Sequence, residues 1–370
     1  MLVTMKDIRS MEEESADILH NITPCSSEGL TSLAASTSTL TIDHSQDEHD
    51  HGGHDCLQFS PASPNFLLAS AWDSSSLSVS TIVIQTVRLY DIAANEEKTK
   101  FDHRAAVLST TFSDASHAYS GGLDASLREL ELESEKIHAL GQHDDAISSV
   151  CYSGEAKAII TGSWDRSIHF WDPRAATTQQ SSHQLPERIY FMDAPSLFHI
   201  LDVRKMETPE QTRDNSLKFL TRALACMSDG QGYATASVEG RIAVEYFDPS
   251  SAVQEKKYAF KCHRQTIDEV DHVWPVNALA FHPTYNTFAS GGSDATVSIW
   301  DHKVKKRLRQ FPRYNSSVST LAFSADGSRL AIGASYTWDA GEEGARTADR
   351  PALFVRELGE EVKPKGWGTS

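Results

Sequence analysis

Short runs in which apolar and polar residues alternate recur along most of the chain, set apart by Ser, Gly, Asp and Pro. Three stretches repeat one pattern closely: AVLSTTFSDASHAYSGGLDASLRELEL (106–132), AISSVCYSGEAKAIITGSWDRSIHFWD (146–172) and PVNALAFHPTYNTFASGGSDATVSIWD (275–301). Each begins with an alternating strand ending in Phe or Tyr, followed by a Ser/Pro/Asp turn. A second strand then runs into a small residue or Gly, and a tight turn leads to a third strand. The stretch VSTLAFSADGSRLAIGASY (318–336) supplies most of another copy. HDCLQFSPASPNFLLASAWD…VRLYD and TRALACMSDGQGYATASVEGRIAVEYFD are looser copies. A fourth, outer strand would use the variable stretch before the next copy.

The period is roughly 40 residues, the length of a WD-type propeller blade. A short segment around 188–205 brings the number of copies to seven. One such sheet cannot bury both its faces, and seven packed in a ring solve that. The predicted fold class is therefore all-β, a seven-bladed WD-repeat β-propeller over residues 51–365 with a disordered acidic, Ser/Thr-rich extension over 1–50 and a tail at 366–370. Residues 38–42, STLTI, are placed to pair with the last blade and close the ring. His103, His143 and His263 precede first strands and suit a tetrad that ties a loop His to the turn Asp of a blade. Asp73, Asp165 and Asp294 are read as such turn aspartates, and Trp171 as core.

Two copies depart from the pattern. The residue before the turn Asp lies eight positions ahead of the closing Asp in Trp164–Asp172 and Ser293–Asp301, but nineteen ahead in Trp72–Asp91. The extra residues, 76–86 (SLSVSTIVIQT), contain no Gly, Pro, Asn, Asp or charge, and read as a strand that could compete with VRLYD or aggregate. The expectation is a retained intron or a mis-spliced gene product rather than a functional loop. In blade four, Asp172 to Asp202 spans thirty residues, against forty from Leu132 to Asp172, and the second strand is largely missing. Either a neighbouring loop repairs this blade or the chain lacks about a dozen residues, a figure set by the ~40-residue period; the second reading is preferred.

Composition narrows the function. The chain has 370 residues, 39% hydrophobic, and no apolar run long enough for a membrane helix. Its N-terminus turns acidic where a signal peptide would be apolar. A formal charge of -17 argues against general nucleic-acid binding, so no direct DNA contact and no membrane partner are expected. The five cysteines form no CxxC pair, which fits a reducing compartment and no structural zinc. DHSQDEHDHGGHD (43–55) places His44, His49, His51 and His54 among carboxylates, but the spacing matches no defined zinc site, and a solvated linker is expected. No cofactor or metal is assigned.

The segments GSWDRSIHFWDPR, SVEGRIAVEYFDPS, KKYAFKCHR, PVNALAFHP, GGSDATVSIWD and KKRLRQFPRY together resemble the Bub-family WD-repeat proteins (Bub-three) of the spindle assembly checkpoint. The likeness covers about residues 54–365 and is most specific from Ser216 to Arg264. It implies a non-enzymatic adaptor of the nucleus and the mitotic kinetochore. One face of the propeller would grip the GLEBS motif of a checkpoint kinase and its relatives. The same region would read the phosphothreonine of MELT motifs in the kinetochore scaffold and deliver the mitotic checkpoint complex. The resemblance places the phosphopeptide site at Arg222, Arg241 and Lys261, where Arg suits phosphate because its planar fork pairs two oxygens. It places the partner-peptide contacts at Trp72 and Trp164 on the turns after the second strands of blades one and three. The plainer alternatives are solvated cations with their own carboxylates, and tryptophans buried against a neighbouring blade.

Two other functions compete. A related WD-repeat messenger-RNA export factor, which binds a nucleoporin, shares the QLPER and FKCHR-like segments, although the acidity of this chain weighs against RNA. A propeller enzyme would need convergent titratable groups in the central channel, and no pair stands out in the sequence.

Overall fold

The computed structural model describes residues 2–6, 39–42, 54–72, 85–154, 156–185, 197–202, 205–206, 208–337, 349–365 and 367. Among the described residues, alternating segments form six four-stranded antiparallel sheets and one three-stranded sheet, with a separate two-stranded hairpin, Arg264–Ile267 and Val270–Val273. Blade 1 comprises His54–Phe59, Phe66–Trp72, Gln85–Asp91 and Glu96–His103. Blade 2 runs from Val107 to Gln142, blade 3 from Ile147 to Gln184 and blade 5 from Thr221 to Lys261. Blade 6 runs from Val276 to Gln310. Within each of these, strands succeed one another from the innermost to the outermost.

The core lies between blades, because each sheet buries one face on its neighbour. Leu68, Val87, Leu89 and Phe101 of blade 1 pack on Val107, Phe112, Ala118 and Leu130 of blade 2. Tyr119 and Leu127 then meet Ile147, Ile159 and Trp171 of blade 3, where Trp171 is fully buried. Ala236, Ile242 and Val244 of blade 5 pack on Val276 and Phe288 of blade 6, whose other side meets Val318, Leu330 and Ile332 of blade 7. Leu57, Phe59 and Leu67 of blade 1 meet Ala331, Leu353 and Val355 of blade 7, which joins the two ends of the chain.

Blade 7 takes its three inner strands from Val318–Phe323, Arg329–Ala334 and Ala352–Glu357, and its outer strand from Thr39–Ile42. Leu40 pairs with Val355 and Thr41 with Phe354. Blade 4 differs from its sequence-based expectation. Its strand Leu197–Leu201 pairs with Gln211–Asp214 on one side and with Leu2–Lys6 on the other, Leu2 opposite Leu201 and Lys6 opposite Leu197. An inner strand left with an open edge must find backbone partners, and the alternating LVTMK segment supplies them. Strand Thr39–Ile42 lies where residues 38–42 were expected to pair with the last blade, whereas strand Leu2–Lys6 departs from the disorder expected of the N-terminal extension; 7–38 and 43–53 lie outside the described residues, as do His44, His49 and His51.

In blade 1, Gln85 and Thr86 belong to the third strand, with Trp72 opposite Gln85 and Phe66 opposite Asp91. VRLYD thus keeps its place and the interruption is shorter than 76–86. Residues 73–84, including Asp73, lie outside the described residues.

Candidate functional site

The turns between second and third strands share one rim. The residue two positions before each turn's left-handed residue donates its backbone N–H to the start of its own innermost strand: Leu123 to Ala106, Trp164 to Ala146, Val238 to Leu220 and Ser293 to Pro275, all at 2.9–3.0 Å. Ala125, Arg166, Gly240 and Ala295 then take positive φ values of 59°, 71°, 62° and 59°. At Gly240 a side chain has no room, since a Cβ would lie 2.7 Å from the Cys262 carbonyl oxygen.

Behind this rim, two blades carry complete tetrads among the described residues. In blade 6, His263 Nδ1 lies 2.8 Å from Asp294 Oδ1 and Nε2 lies 2.8 Å from Ser290 Oγ, which accepts the Trp300 indole N–H at 2.8 Å. A carboxylate only accepts, so Nδ1–H donates to Asp294 and the Ser290 hydroxyl donates to Nε2. In blade 3 the same chain runs from Trp171 through Thr161, both links 2.7 Å, to His143 and on to Asp165 at 3.0 Å. Burial alone would raise the Asp165 carboxyl, but Ser167, the Asp144 backbone N–H and the His143 charge outweigh it and bring its pKa down to about 2. Desolvation lowers His143. These shifted groups are consumed in holding turns, which is a structural cause of perturbed pKa values rather than a catalytic one.

Blade 2 corrects the tetrad expectation. His103 Nε2 keeps its link to Ser120 Oγ at 2.8 Å, but Nδ1 donates to the Phe101 carbonyl, 3.1 Å away. Asp124 is instead held by both guanidinium nitrogens of Arg128, at 3.1 and 2.5 Å. A charged bidentate donor outcompetes a neutral imidazole. Leu130 stands at the position Trp171 and Trp300 occupy.

Blade 5 has given up the tetrad. Glu239 replaces the turn Asp and Glu245 the Trp. The Thr235 and Ser237 hydroxyls, Glu245 Oε1 and Arg241 Nε are buried without a hydrogen-bond partner. The three predicted cations lie at the same end of the blade. Arg241 stands directly opposite Lys261, and opposite Ser237 on the other side; Ser237 in turn faces Thr221, next to Arg222. With strands about 4.8 Å apart, they fall within a few strand spacings.

Arg222 owes its position to a bulge. In all six four-stranded sheets the innermost strand skips one residue near its start, and in blade 5 the skipped residue is Arg222. In blades 3, 6 and 7 the skipped residues are Ser148, Asn277 and Ser319, which bond back to Gly162, to Ser293 and Val318, and to Gly333. A bulge re-aims its side chain: Arg222 reaches out to the Thr337 carbonyl of blade 7, 3.4 Å away. Arg241 Nε lies 3.4 Å from Glu239 Oε1, and Lys261 is exposed.

Sequence reasoning missed Arg264. Its guanidinium donates to the Glu239 carbonyl at 2.5 Å and to Gly240 at 3.5 Å, bracing the turn that presents Arg241. The KCHR segment in which it lies was the available signal. The hairpin beyond it exposes Ile267, Val270 and Val273 on the same rim. Trp164 is half-buried on the equivalent turn of blade 3, two blades from the cations. Trp72 ends its strand in blade 1, and its side chain lies outside the described residues.

Comparisons with known proteins agree with this geometry. The WD domain, G-beta repeat family matches residues 134–172 and 259–301, parts of the propeller that hold the two complete tetrads. Mitotic checkpoint protein BUB3.1 of Arabidopsis thaliana is 45% identical over 84% of this chain and 91% of its own length. Mitotic checkpoint protein bub3 of Dictyostelium discoideum is 40% identical over 84% and 94%. The chain belongs to the Bub3 family. The family also shades into export factors: mRNA export factor GLE2 of Chaetomium thermophilum is 33% identical over 91% of this chain and 98% of its own length. Membership makes this a checkpoint-type WD-repeat protein of a non-enzymatic adaptor class.

Proposed function

We propose that this chain is a mitotic checkpoint adaptor of the nucleus and kinetochore that reads phosphorylated MELT motifs with Arg222, Arg241 and Lys261. A GLEBS motif of a checkpoint kinase lies on the same rim, anchored by Trp72 and Trp164, and joins the chain to the mitotic checkpoint complex. The observation that carries the reading is the placement of three cations at one end of blade 5, where Glu239 and Glu245 stand in place of the tetrad Asp and Trp. Bidentate guanidinium contacts suit a dianionic phosphate, and two of the three cations are arginines.

The test is fluorescence anisotropy of a labelled MELT peptide, with and without the phosphate, titrated with the full chain. Phosphate-dependent binding that Arg241→Ala reduces at least about tenfold, a loss of roughly 1.4 kcal/mol, supports the reading. Equal binding of both peptides, or indifference to Arg241→Ala, refutes it. The export reading draws on the GLE2 relative, whose similarity extends over more of this chain than that of the checkpoint relatives. It predicts that a nucleoporin GLEBS peptide outcompetes the kinase one and that the protein gathers at the nuclear rim rather than at unattached kinetochores.

A further inference from the structure

Blade 6 ends in the strand Lys306–Gln310, KRLRQ, which carries three cations and no carboxylate. The outer strands of blades 1, 3 and 4 read EEKTKFDH, QQSSHQ and QTRD. Lys303 and Lys305 precede the strand, and Lys256 and Lys257 lie just before the outer strand of blade 5. All seven of these cations are exposed. Among the described residues none of them makes an ion pair with a carboxylate. On a chain of charge -17 this is a strong local reversal of sign.

The strand is paired on one side only, with Val297–Asp301, so its other edge presents backbone donors and acceptors outward. Its cations sit on both faces of that edge. Arg307 stands opposite Trp300, which packs toward blade 5, and Arg309 stands opposite Ile299, which packs toward blade 7. On the blade 7 side the short helix Glu360–Val362 brings two carboxylates near, but Glu360 is taken by Lys363 and Glu361 by the Gly359 N–H. The aromatic groups in the patch are also engaged. Lys305 Nζ lies 4.5 Å above the Tyr258 ring, whose hydroxyl donates to the His302 carbonyl, and Arg307 caps Trp300 at 5.9 Å.

We propose that this edge is a docking site for an acidic, extended peptide segment that adds as a fifth strand to blade 6. An added strand turns successive side chains to opposite faces. Cations on both faces therefore select a contiguous run of Asp and Glu rather than an alternating one. Single-stranded nucleic acid is disfavoured because binding it draws on free aromatic faces for stacking, and here those faces are covered. The site is the outermost strand of blade 6, whereas the phosphopeptide cluster lies at one end of blade 5.

The test uses the full chain and a fluorescein-labelled deca-glutamate peptide in anisotropy at low and physiological salt. Binding is expected, weakening with salt, and Lys306→Glu/Arg309→Glu lowers affinity at least about tenfold by two lost attractions and two new repulsions. Both positions are exposed, and an unchanged thermal midpoint confirms that the variant folds. A (Glu-Pro)5 peptide, which lacks half the backbone donors, binds far more weakly. No binding, or no change on charge reversal, overturns the proposal, and so does equal binding of the proline peptide. A decauridylate that binds more tightly, through the same two residues, assigns the surface to nucleic acid instead. If deca-glutamate binds only after Glu12, Glu13 and Glu14 become Gln, the occupant is this chain's own acidic segment and the partner reading fails.

Discussion

Thr161→Val in blade 3 tests whether the tetrads hold the propeller rim. The substitution conserves volume and removes one hydroxyl. That hydroxyl accepts the Trp171 indole N–H and donates to His143 Nε2, both at 2.7 Å. Trp171 is 1% and His143 4% exposed, so neither orphaned group can turn to solvent. Each buried polar group left unpaired costs about 1–3 kcal/mol, which gives about 2–6 kcal/mol for the pair. Ser120→Ala in blade 2 is the internal comparison. Ser120 serves only His103, because Leu130 stands where the indole would be, so its loss orphans one group and costs about 1–3 kcal/mol. With an unfolding entropy near 2.1 cal/mol/K per residue, a chain of this size loses roughly 1–2 °C per kcal/mol. Calorimetry should therefore separate the variants by a few degrees, and urea midpoints at unchanged m-values should rank them the same way. If Ser120→Ala destabilises as much as Thr161→Val, the two-group account of the tetrad is wrong.

Further expectations follow from single features. Ala295 holds φ 59° behind a turn Asp, so Ala295→Gly relieves left-handed strain and should stabilise by about 0.5–1 kcal/mol, read as a raised urea midpoint. His169, stacked on His143 with ring centroids 3.8 Å apart, is held down to about 4 by desolvation and the His143 charge. As pH falls below about 6.5 the unfolded chain takes up this proton first. Stability should therefore drop progressively toward pH 4, and His169→Gln should flatten that slope; an identical slope in the variant refutes the assignment. Deleting residues 76–84 leaves the Trp72–Gln85 pairing in place and should keep the midpoint, because closure entropy changes only logarithmically with loop length. Deleting 76–86 also removes Thr86, which is fully buried, and should lower the midpoint.

The chain's own order of residues determined what depends on near neighbours. Strand alternation, turn composition and the ~40-residue period sufficed for the propeller, since each blade is one local unit repeated. His143 and His263 could be assigned to their aspartates for the same reason: the spacing within a blade puts them together. The pairings that bring distant segments together could only come from the tertiary structure. Leu2–Lys6 fills the open edge of blade 4 across nearly two hundred residues of chain, a choice that composition does not encode because any alternating segment satisfies a strand edge. His103 looked like its two counterparts until Arg128 took Asp124, a competition decided by guanidinium geometry. In the sequence, Arg222 joins Arg241 and Lys261 only through the family resemblance. It becomes part of a cluster because a bulge lifts it from the alternation and sends it toward Thr337 of blade 7, 115 positions away. Arg264 acts through the carbonyls of Glu239 and Gly240, and backbone groups carry no signature in a sequence. Periodic contacts are written in the order of residues; non-local edges and re-aimed side chains are settled only when the ring closes.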